Sequence, residues 1–419
     1  MSEETTRPNR TVTLRLFLLC VALICMLLSD CYSQFGAWIA DLKLVGIALV
    51  GVVCVASAGS DGIPRSRLFL GLIALALLII CIPFQTGSFS LIESLALYVA
   101  VFGLACLSGS LIKSWQQLLV VALVALTVVV VLMIIGQDLS ARQWSFYVGV
   151  GRPRIKGPFS NPNSLGHTAT MIGVMFFAAL QAEDLRASLR AVAGLGLVGS
   201  VVLLWFSDSR TAMGVLAAFA LFSIVLGLVR HSEQTGVRVL LFVVLVLGVW
   251  GTWALISNDL TTDASFSLRW EALMKIRVEN LQSFVGIGYI TSKDISQLTT
   301  VANGATDMLY VSLFYRAGII GYLSYLLFVA AAAAGAGTSR AGRDMAIAVI
   351  VALALQAMGE SYLSSVMSFA SVLDWVLLAC LPTIARESEE RMLAERDAAA
   401  SMSASRMRVR RLVEGADAS

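Results

Sequence analysis

Long apolar runs recur along this chain of 419 residues, and they constrain its fold more than any other feature. Hydrophobic residues make up 58% of the sequence and charged residues only 14%, a composition that excludes an ordinary soluble globular domain. A helix needs about 20 apolar residues to cross the hydrocarbon core of a bilayer. We place twelve such runs at residues 13–29, 37–57, 68–83, 89–109, 118–136, 165–181, 191–206, 212–229, 237–257, 308–331, 341–358 and 366–384. The sequence therefore predicts an all-α, polytopic membrane bundle of about twelve transmembrane helices.

The distribution of Lys and Arg among the short connections predicts the orientation of the bundle. Alternate connections carry cations, namely Arg65, Arg67, Lys113, Arg186, Arg190, Arg230, Arg238, Arg340 and Arg343. The intervening connections at 30–36, 84–88 and 359–365 contain no Lys or Arg. Because cytoplasmic connections are enriched in both residues, we assign the first set and both termini to the cytoplasm. The chain then divides into a cytoplasmic N-terminal segment, the bundle and a charged cytoplasmic tail, at residues 1–12, 13–385 and 386–419.

Three of the outward connections keep cations despite this bias. They lie at residues 137–163, 207–211 and 258–306, the last being a large loop between the ninth and tenth spans. Their cations are Arg142, Arg152, Arg154, Lys156, Arg210, Arg269, Lys275, Arg277 and Lys293. Cations retained outside against the topological bias indicate an anionic ligand on that face. We expect no nucleic-acid partner.

Two of these connections have local features of their own. Residues 151–167 combine three cations with three prolines, so this stretch cannot cross a bilayer and must lie at its surface. In the large loop, apolar residues from Leu268 to Leu281 recur at helical spacing. That spacing predicts an amphipathic helix along the outer membrane surface, which ends at Gly286 and Gly288.

Four of the outward cations are suited to binding phosphate: Arg152, Arg154, Lys156 and Arg210. Guanidinium groups bind phosphate oxygens in a bidentate manner, and their charge offsets the negative charge that develops on a leaving pyrophosphate. The charge pattern alone leaves a second interpretation open, in which these residues bind lipid head groups or pair with Asp138 and Asp208.

Four groups of short motifs follow one another on the predicted outer face. They are Arg154-x-x-Gly157-x-Phe159-x-Asn161-Pro-Asn163, then Ser209-Arg210-Thr211-Ala212, then Leu268-Arg269-Trp270 with Gly286-Ile-Gly288, and last Asp307-x-x-Tyr310 with Gly318-Ile-Ile-Gly321. Together they resemble the outward motifs of the O-antigen ligase/polymerase superfamily of bacterial membrane glycosyltransferases. The resemblance covers about residues 150–330, and the number and orientation of the spans agree with it.

One position departs from the ligases of that superfamily. Those ligases typically have a His eleven residues before the first glycine of the Gly-Ile-Ile-Gly turn, whereas this chain has Asp307 there. Polymerases of the exopolysaccharide type tolerate Asp at this position. The resemblance therefore favours a polymerase over a ligase.

The resemblance implies glycosyl transfer from an undecaprenyl-pyrophosphate-linked oligosaccharide to a glycan acceptor, at the outer face of the bacterial cytoplasmic membrane. It implies that Arg154, Arg210, Arg152 and Arg269 hold the pyrophosphate, with Lys156 beside them. Asp307 is the candidate base for the acceptor hydroxyl. A carboxylate close to several arginines is a weak base, so the alternative is that Asp307 only orients the acceptor. Membrane lipids, a flippase and a chain-length regulator are the other expected partners.

Three further residues are candidates for contact with the substrate: Asn163, His167 and Glu360. The alternatives are that Asn163, with Asn161, shapes the turn and caps the next helix, and that His167 hydrogen-bonds a neighbouring helix. Glu360 resembles part of a Glu-Ser pair in some polymerase-like members, and pairing with Arg316 is the other interpretation.

Neither a metal nor a cofactor is expected. The seven cysteines are scattered singly without a C-x-x-C spacing, which argues against metal or redox chemistry. The acids at or inside spans, Glu93 and Asp374, are expected to face the interior of the bundle.

Two other functions remain open at this stage. A ligase that transfers a finished glycan to a lipid or protein acceptor would use the same donor. A transporter of a polar or lipid-linked substrate belongs to another class, but transporters place their binding groups near the bilayer midplane, often with internal repeats. Here the cations cluster in outward loops and no repeat is visible. A purely structural scaffold would leave the outward arginines unexplained.

Overall fold

The computed structural model describes residues 10–32, 36–85, 91–139, 146–149, 152–159, 161–231, 236, 281–288, 309–357 and 368–416, and every structural statement below concerns these residues. The helices are α1 (Arg10–Tyr32), α2 (Ala37–Asp61), α3 (Arg65–Cys81), α4 (Leu91–Leu107), α5 (Trp115–Leu139), α6 (Pro162–Leu180), α7 (Ala187–Ser207), α8 (Arg210–His231), α9 (Leu281–Val285), α10 (Leu309–Ala333), α11 (Arg340–Ala357) and α12 (Phe369–Ala416). Two short strands, β1 (Phe146–Gly149) and β2 (Arg152–Ile155), pair in an antiparallel hairpin.

The described helices confirm the predicted all-α polytopic bundle. Nine of them are long and apolar enough to cross a membrane: α1 to α5, α7, α8, α10 and α12. α6 and α11 also match predicted spans, but α6 begins with a run of polar residues and α11 with Arg340, Arg343 and Asp344. The predicted ninth span at 237–257 and the predicted amphipathic helix up to Leu281 lie outside the described residues.

The first part of α12 is the central helix of the bundle. Its residues from Phe369 to Ala385 are buried on every side, and they extend for about 25 Å along the helix axis. α6 is nearly as enclosed, with every residue from Leu165 to Phe176 buried. A helix that is apolar all round is suited to such an interior position.

α12 continues well beyond the predicted end of the last span. The helix runs without interruption through the predicted charged tail, residues 386–419, as far as Ala416. Its sequence beyond Pro382 contains neither Gly nor Pro before Gly415, so nothing terminates it. Glu389 ties the extension to the start of α11 by accepting hydrogen bonds from Ser339 Oγ and, at 3.2 Å, from Ala341 N.

Polar contacts join the helix ends at each side of the bundle. At one side, the Phe369 amide of α12 donates to Asp30 Oδ2 at the end of α1, at 2.8 Å. At the other side, Arg67 Nη2 of α3 donates to the Ala332 carbonyl of α10, at 3.1 Å. Following the Lys and Arg distribution, we call the first side the outer end and the second the cytoplasmic end.

Candidate functional site at the outer end

The cationic stretch before α6 forms a hairpin followed by a tight turn. In the hairpin, Arg154 pairs with Tyr147 and Arg152 pairs with Gly149. The turn comes next, where the Phe159 amide donates to the Lys156 carbonyl at 3.2 Å and Gly157 has a φ of +57°. Phe159 is buried in the core and anchors the turn. The sequence predicted bends here but not the strand pairing.

Asn161 caps the helix that follows. Its Oδ1 accepts hydrogen bonds from Ser164 N at 2.9 Å and from Ser164 Oγ at 3.2 Å, and Pro162 occupies the first turn, where a missing N–H costs nothing. The capping interpretation is thereby confirmed for Asn161. Asn163 lies in the same first turn, partly buried.

The first and second motifs are in direct contact through Gly166. A Cβ added to Gly166 would lie 2.5 Å from Ser209 Cβ and 2.8 Å from Ser207 Oγ, so only glycine permits this approach. One turn further along, Thr170 Oγ1 donates to the Ala212 carbonyl at 2.9 Å. Asp208, with φ 46° and ψ 37°, ends α7 and lets α8 begin at Arg210.

This contact places the N-termini of α6 and α8 side by side. The N-terminal end of each helix carries a partial positive charge and unpaired N–H groups, which favour an anion. Arg210 is the first residue of α8, and Lys156 precedes α6 by six positions; both side chains are partly exposed. The arrangement can therefore stabilise a phosphate or pyrophosphate at the outer end.

The third and fourth motifs are also in contact with each other. The amide of Ile287 donates to the Tyr315 carbonyl at 2.8 Å, and the amide of Gly288 donates to the Arg316 carbonyl at 3.0 Å. These carbonyls lose their helical partners because α10 is broken at Gly318, where φ is 62° and ψ is −157°. Residues 319–336 beyond the break would extend for about 27 Å, the length of one span. The break therefore lies one span length from the far end of this helical segment, on the side that we call the outer end.

The fourth motif, which contains Tyr310, is connected to the first motif by contacts through α11 and His167. Tyr310 Oη donates to the Ala354 carbonyl of α11 at 3.3 Å. Two residues further along α11, Gln356 Nε2 lies 2.8 Å from His167 Nε2, and His167 follows Gly166 in the chain. Sequence analysis did not identify Gln356, although an amide within an apolar run is a signal for a polar contact between helices.

Asp374 completes a buried polar cluster with these two side chains. Gln356 Nε2 donates to Asp374 Oδ2 at 3.0 Å, and His167 Nε2 lies 3.4 Å from the same oxygen. The alternative prediction for His167, a hydrogen bond to a neighbouring helix, is confirmed. Its ring is 2% exposed, so it does not meet a substrate directly in this conformation.

The two acids predicted to face the interior behave differently. Asp374 is completely buried, as expected. The prediction is wrong for Glu93, whose side chain is exposed in the first turn of α4. A carboxylate is stabilised at a helix N-terminus, and this position also keeps it near water.

Several predicted site residues cannot be placed in this arrangement. Asp307, Arg269 and Glu360 lie outside the described residues, and for Arg152 and Arg154 the structure describes the backbone alone. Among the described residues, no three His, Cys, Asp or Glu side chains are grouped to hold a metal ion.

A separate cavity of about 620 Å³ opens at the cytoplasmic end of the bundle. It is lined by both cations and acids, including Arg230, Arg340, Asp344 and Glu389. Such a mixed lining has no preference for an anion, and Glu389 already holds the start of α11. The outer end is therefore the better candidate for the predicted site.

No protein-family model matches the chain, and no curated protein matches it. The resemblance to the O-antigen ligase/polymerase superfamily rests on the motifs quoted above.

Proposed function

We propose that this chain is a membrane glycosyltransferase that polymerises lipid-linked oligosaccharide repeat units at the outer face of the bacterial cytoplasmic membrane. The observation that carries the proposal is the contact between motifs that are far apart in sequence. Gly166 packs on Ser209, and the amide of Gly288 donates to the Arg316 carbonyl. Tyr310 donates to Ala354 of α11, two residues before Gln356, which contacts His167. Contact among these motifs is expected if they form one site.

The chemistry of the proposed reaction matches the charges at this end. The acceptor hydroxyl attacks the anomeric carbon of the donor sugar, the bond from that carbon to the pyrophosphate oxygen breaks, and polyprenyl pyrophosphate leaves. Arg210, Lys156 and the N-termini of α6 and α8 would stabilise the negative charge on the leaving group. We propose the same role for Arg152, Arg154 and Arg269.

The acceptor hydroxyl must lose its proton during this reaction. Asp307, two residues before the start of α10, is the proposed base, or the group that orients the acceptor. The proposed scheme needs no metal ion, because the cations supply the charge that a metal would otherwise provide.

The position of the helix break favours this proposal over transport. Transporters hold substrates near the bilayer midplane, between half-helices. In α10 the break at Gly318 holds Gly286–Gly288 against the bundle, and in the proposed orientation it would lie at the outer boundary instead. A reaction at the outer membrane surface is compatible with that geometry.

Deletion of the gene in its native host tests the proposal. We expect long surface glycan chains to disappear, while single repeat units are still made or capped onto their acceptor. Long chains that accumulate on the lipid carrier would instead indicate a ligase, and an unchanged glycan would contradict both functions.

Complementation then tests the site. We expect Arg210→Ala to fail and Arg190→Ala to restore long chains, since Arg190 is exposed near the start of α7, at the cytoplasmic end. Both variants must be present in the membrane at the wild-type level. Full complementation by Arg210→Ala would contradict its assignment to the pyrophosphate.

A further inference from the structure

Three polar side chains from three helices meet inside the bundle near the outer end. His167 lies about 7 Å from the start of α6 and Asp374 about 7 Å from the start of α12, at a rise of about 1.5 Å per residue. Gln356 is the penultimate residue of α11. All three are at most 2% exposed. Polar groups at such positions are costly unless they are hydrogen-bonded and their charge is neutralised.

The distances define a triangle of three atoms. Gln356 Nε2 lies 2.8 Å from His167 Nε2 and 3.0 Å from Asp374 Oδ2, and the last two atoms are 3.4 Å apart. The amide has two N–H groups, so it can donate one hydrogen bond to the imidazole and one to the carboxyl. The imidazole then accepts at Nε2.

In this arrangement the carboxyl group lacks a second partner. Within the described part of the chain, Asp374 Oδ1 and Gln356 Oε1 have no hydrogen-bond partner. An ionised carboxylate at a fully buried position, with a single accepted hydrogen bond, is very costly. One proton, held on the carboxyl or on the imidazole, removes the net charge.

The opposite orientation of the amide also requires a proton. With Gln356 Oε1 in place of Nε2, two oxygen atoms would lie 3.0 Å apart, at the distance given for the amide nitrogen. Two oxygens hydrogen-bond at that distance only if a hydrogen lies between them. Both orientations therefore lead to one proton within the His167 and Asp374 pair.

Among the described residues, the other titratable groups near Asp374 do not replace this proton. Tyr325 of α10, whose ring packs edge-on to Trp375, is close enough to feel the Asp374 charge, but a phenol is neutral. Asp30 of α1 lies near Phe369, one turn closer to the outer end, and is itself an acid. Arg67 and Cys380 lie towards the cytoplasmic end, where Arg67 donates to Ala332 and Thr383.

We propose that His167, Gln356 and Asp374 form a buried site that binds one proton and that this proton holds α6 and α11 against the central helix α12. The site is independent of the proposed glycosyl transfer. Loss of the proton leaves a net negative charge between the three helices, about one and a half turns below the N-terminus of α6. That charge would loosen the packing and oppose the binding of an anion at the outer end.

Spectroscopy on the full-length protein in lipid nanodiscs can count the protons. The chain contains two histidines, so a His231→Gln variant labelled with ¹⁵N-histidine reports the protonation state of His167 alone. Infrared spectroscopy reports whether a buried carboxyl is protonated, through its C=O stretch. If the proton is on the carboxyl, that stretch should disappear in Asp374→Asn and persist in the control Asp30→Asn; if it is on the imidazole, the ¹⁵N signal of His167 should be that of an imidazolium.

The combined result decides the proposal. A neutral imidazole with a protonated carboxyl, or an imidazolium with a carboxylate, gives one proton and supports it. A neutral imidazole beside an ionised carboxylate near neutral pH, or two protons at once, overturns it.

Two substitutions of Asp374 test whether the infrared and stability signals arise from its carboxyl group, and the second is available if the first does not fold. Asp374→Asn mimics the protonated acid, so we expect it to lack the loss of thermal stability that the wild type shows at high pH as the proton is lost. If Asp374→Asn does not fold, Asp374→Glu should shift the carboxyl stretch. Infrared spectra of Asp374→Glu that are identical to wild type would also overturn the proposal.

Discussion

Gly166 and Ser209 approach so closely that a Cβ on Gly166 would lie 2.5 Å from the Ser209 Cβ. The contact joins two stretches that are about forty residues apart in the chain, and each of them begins a helix. It therefore sets the distance between the α6 cap and Arg210.

Replacement of Gly166 by alanine tests that contact. We expect Gly166→Ala to lower the free energy of unfolding by about 1–3 kcal/mol, because the added methyl group has to displace α6 from the Ser207–Arg210 turn. Gly103→Ala in α4 is the control, since no atom of the described residues lies within 4 Å of its Cβ position. Thermal unfolding in detergent measures both, and equal stability of the two variants would contradict the contact.

Asn161 allows capping to be separated from charge. Asn161→Ala should destabilise the protein by about 1 kcal/mol, whereas Asn161→Asp keeps an acceptor for the Ser164 amide and should preserve stability. The added negative charge should nevertheless reduce glycan synthesis, because it opposes an anion at the same helix end. Normal synthesis by a stable Asn161→Asp variant would argue against an anion at this end.

Gly318 tests the docking of residues 281–288 on α10. Its backbone, with φ 62° and ψ −157°, costs a non-glycine residue about 1–3 kcal/mol. A Cβ at Gly318 would in addition lie 2.5 Å from the Phe284 carbonyl group. We therefore expect Gly318→Ala to displace the segment and to expose it to proteolysis.

Gly62 is the matched control for Gly318. It has a similar conformation, with φ 74° and ψ 158°, but no atom from the described part of the chain lies within 4 Å of its Cβ position. Gly62→Ala should show the backbone strain alone and leave the proteolysis pattern unchanged. The same protease sensitivity in both variants would contradict docking of this segment on α10.

Arg67 is a buried cation at the cytoplasmic end, and Gly109 makes room for it. A Cβ on Gly109 would lie 1.8 Å from Arg67 Nη1. We expect Gly109→Ala to be destabilising in the wild type and much less so in an Arg67→Met background, with a coupling energy of about 1–3 kcal/mol. Additive effects in this double-mutant cycle would show that the two residues are not in contact.

The helices could be predicted from the sequence because apolar runs report membrane burial directly. The predicted span at 191–206, for example, corresponds to α7 (Ala187–Ser207). The structure differs from the prediction mainly at the ends of helices, because capping residues and helix breaks determine where a helix begins and ends. α12 continues to Ala416 because no Gly or Pro stops it earlier.

The contacts within the site could be predicted only in part. The motif pattern identified His167, and the structure bears out the interpretation in which it hydrogen-bonds a neighbouring helix. The approach of Gly166 to Ser209 and the bridge made by Gln356 depend on how whole helices pack, and no local periodicity encodes that. The hairpin was missed because Arg-Pro-Arg-Ile shows no clear strand alternation.

The most direct measurement is bond formation by the purified full-length protein. The donor would be the polyprenyl-pyrophosphate-linked repeat unit isolated from the deletion strain. We expect a ladder of longer lipid-linked chains and one free polyprenyl pyrophosphate for each new bond. Arg190→Ala should match the wild type, and Arg210→Ala should be slower by a factor of about 100 or more. Movement of the donor across a vesicle membrane without any new glycosidic bond would contradict the account.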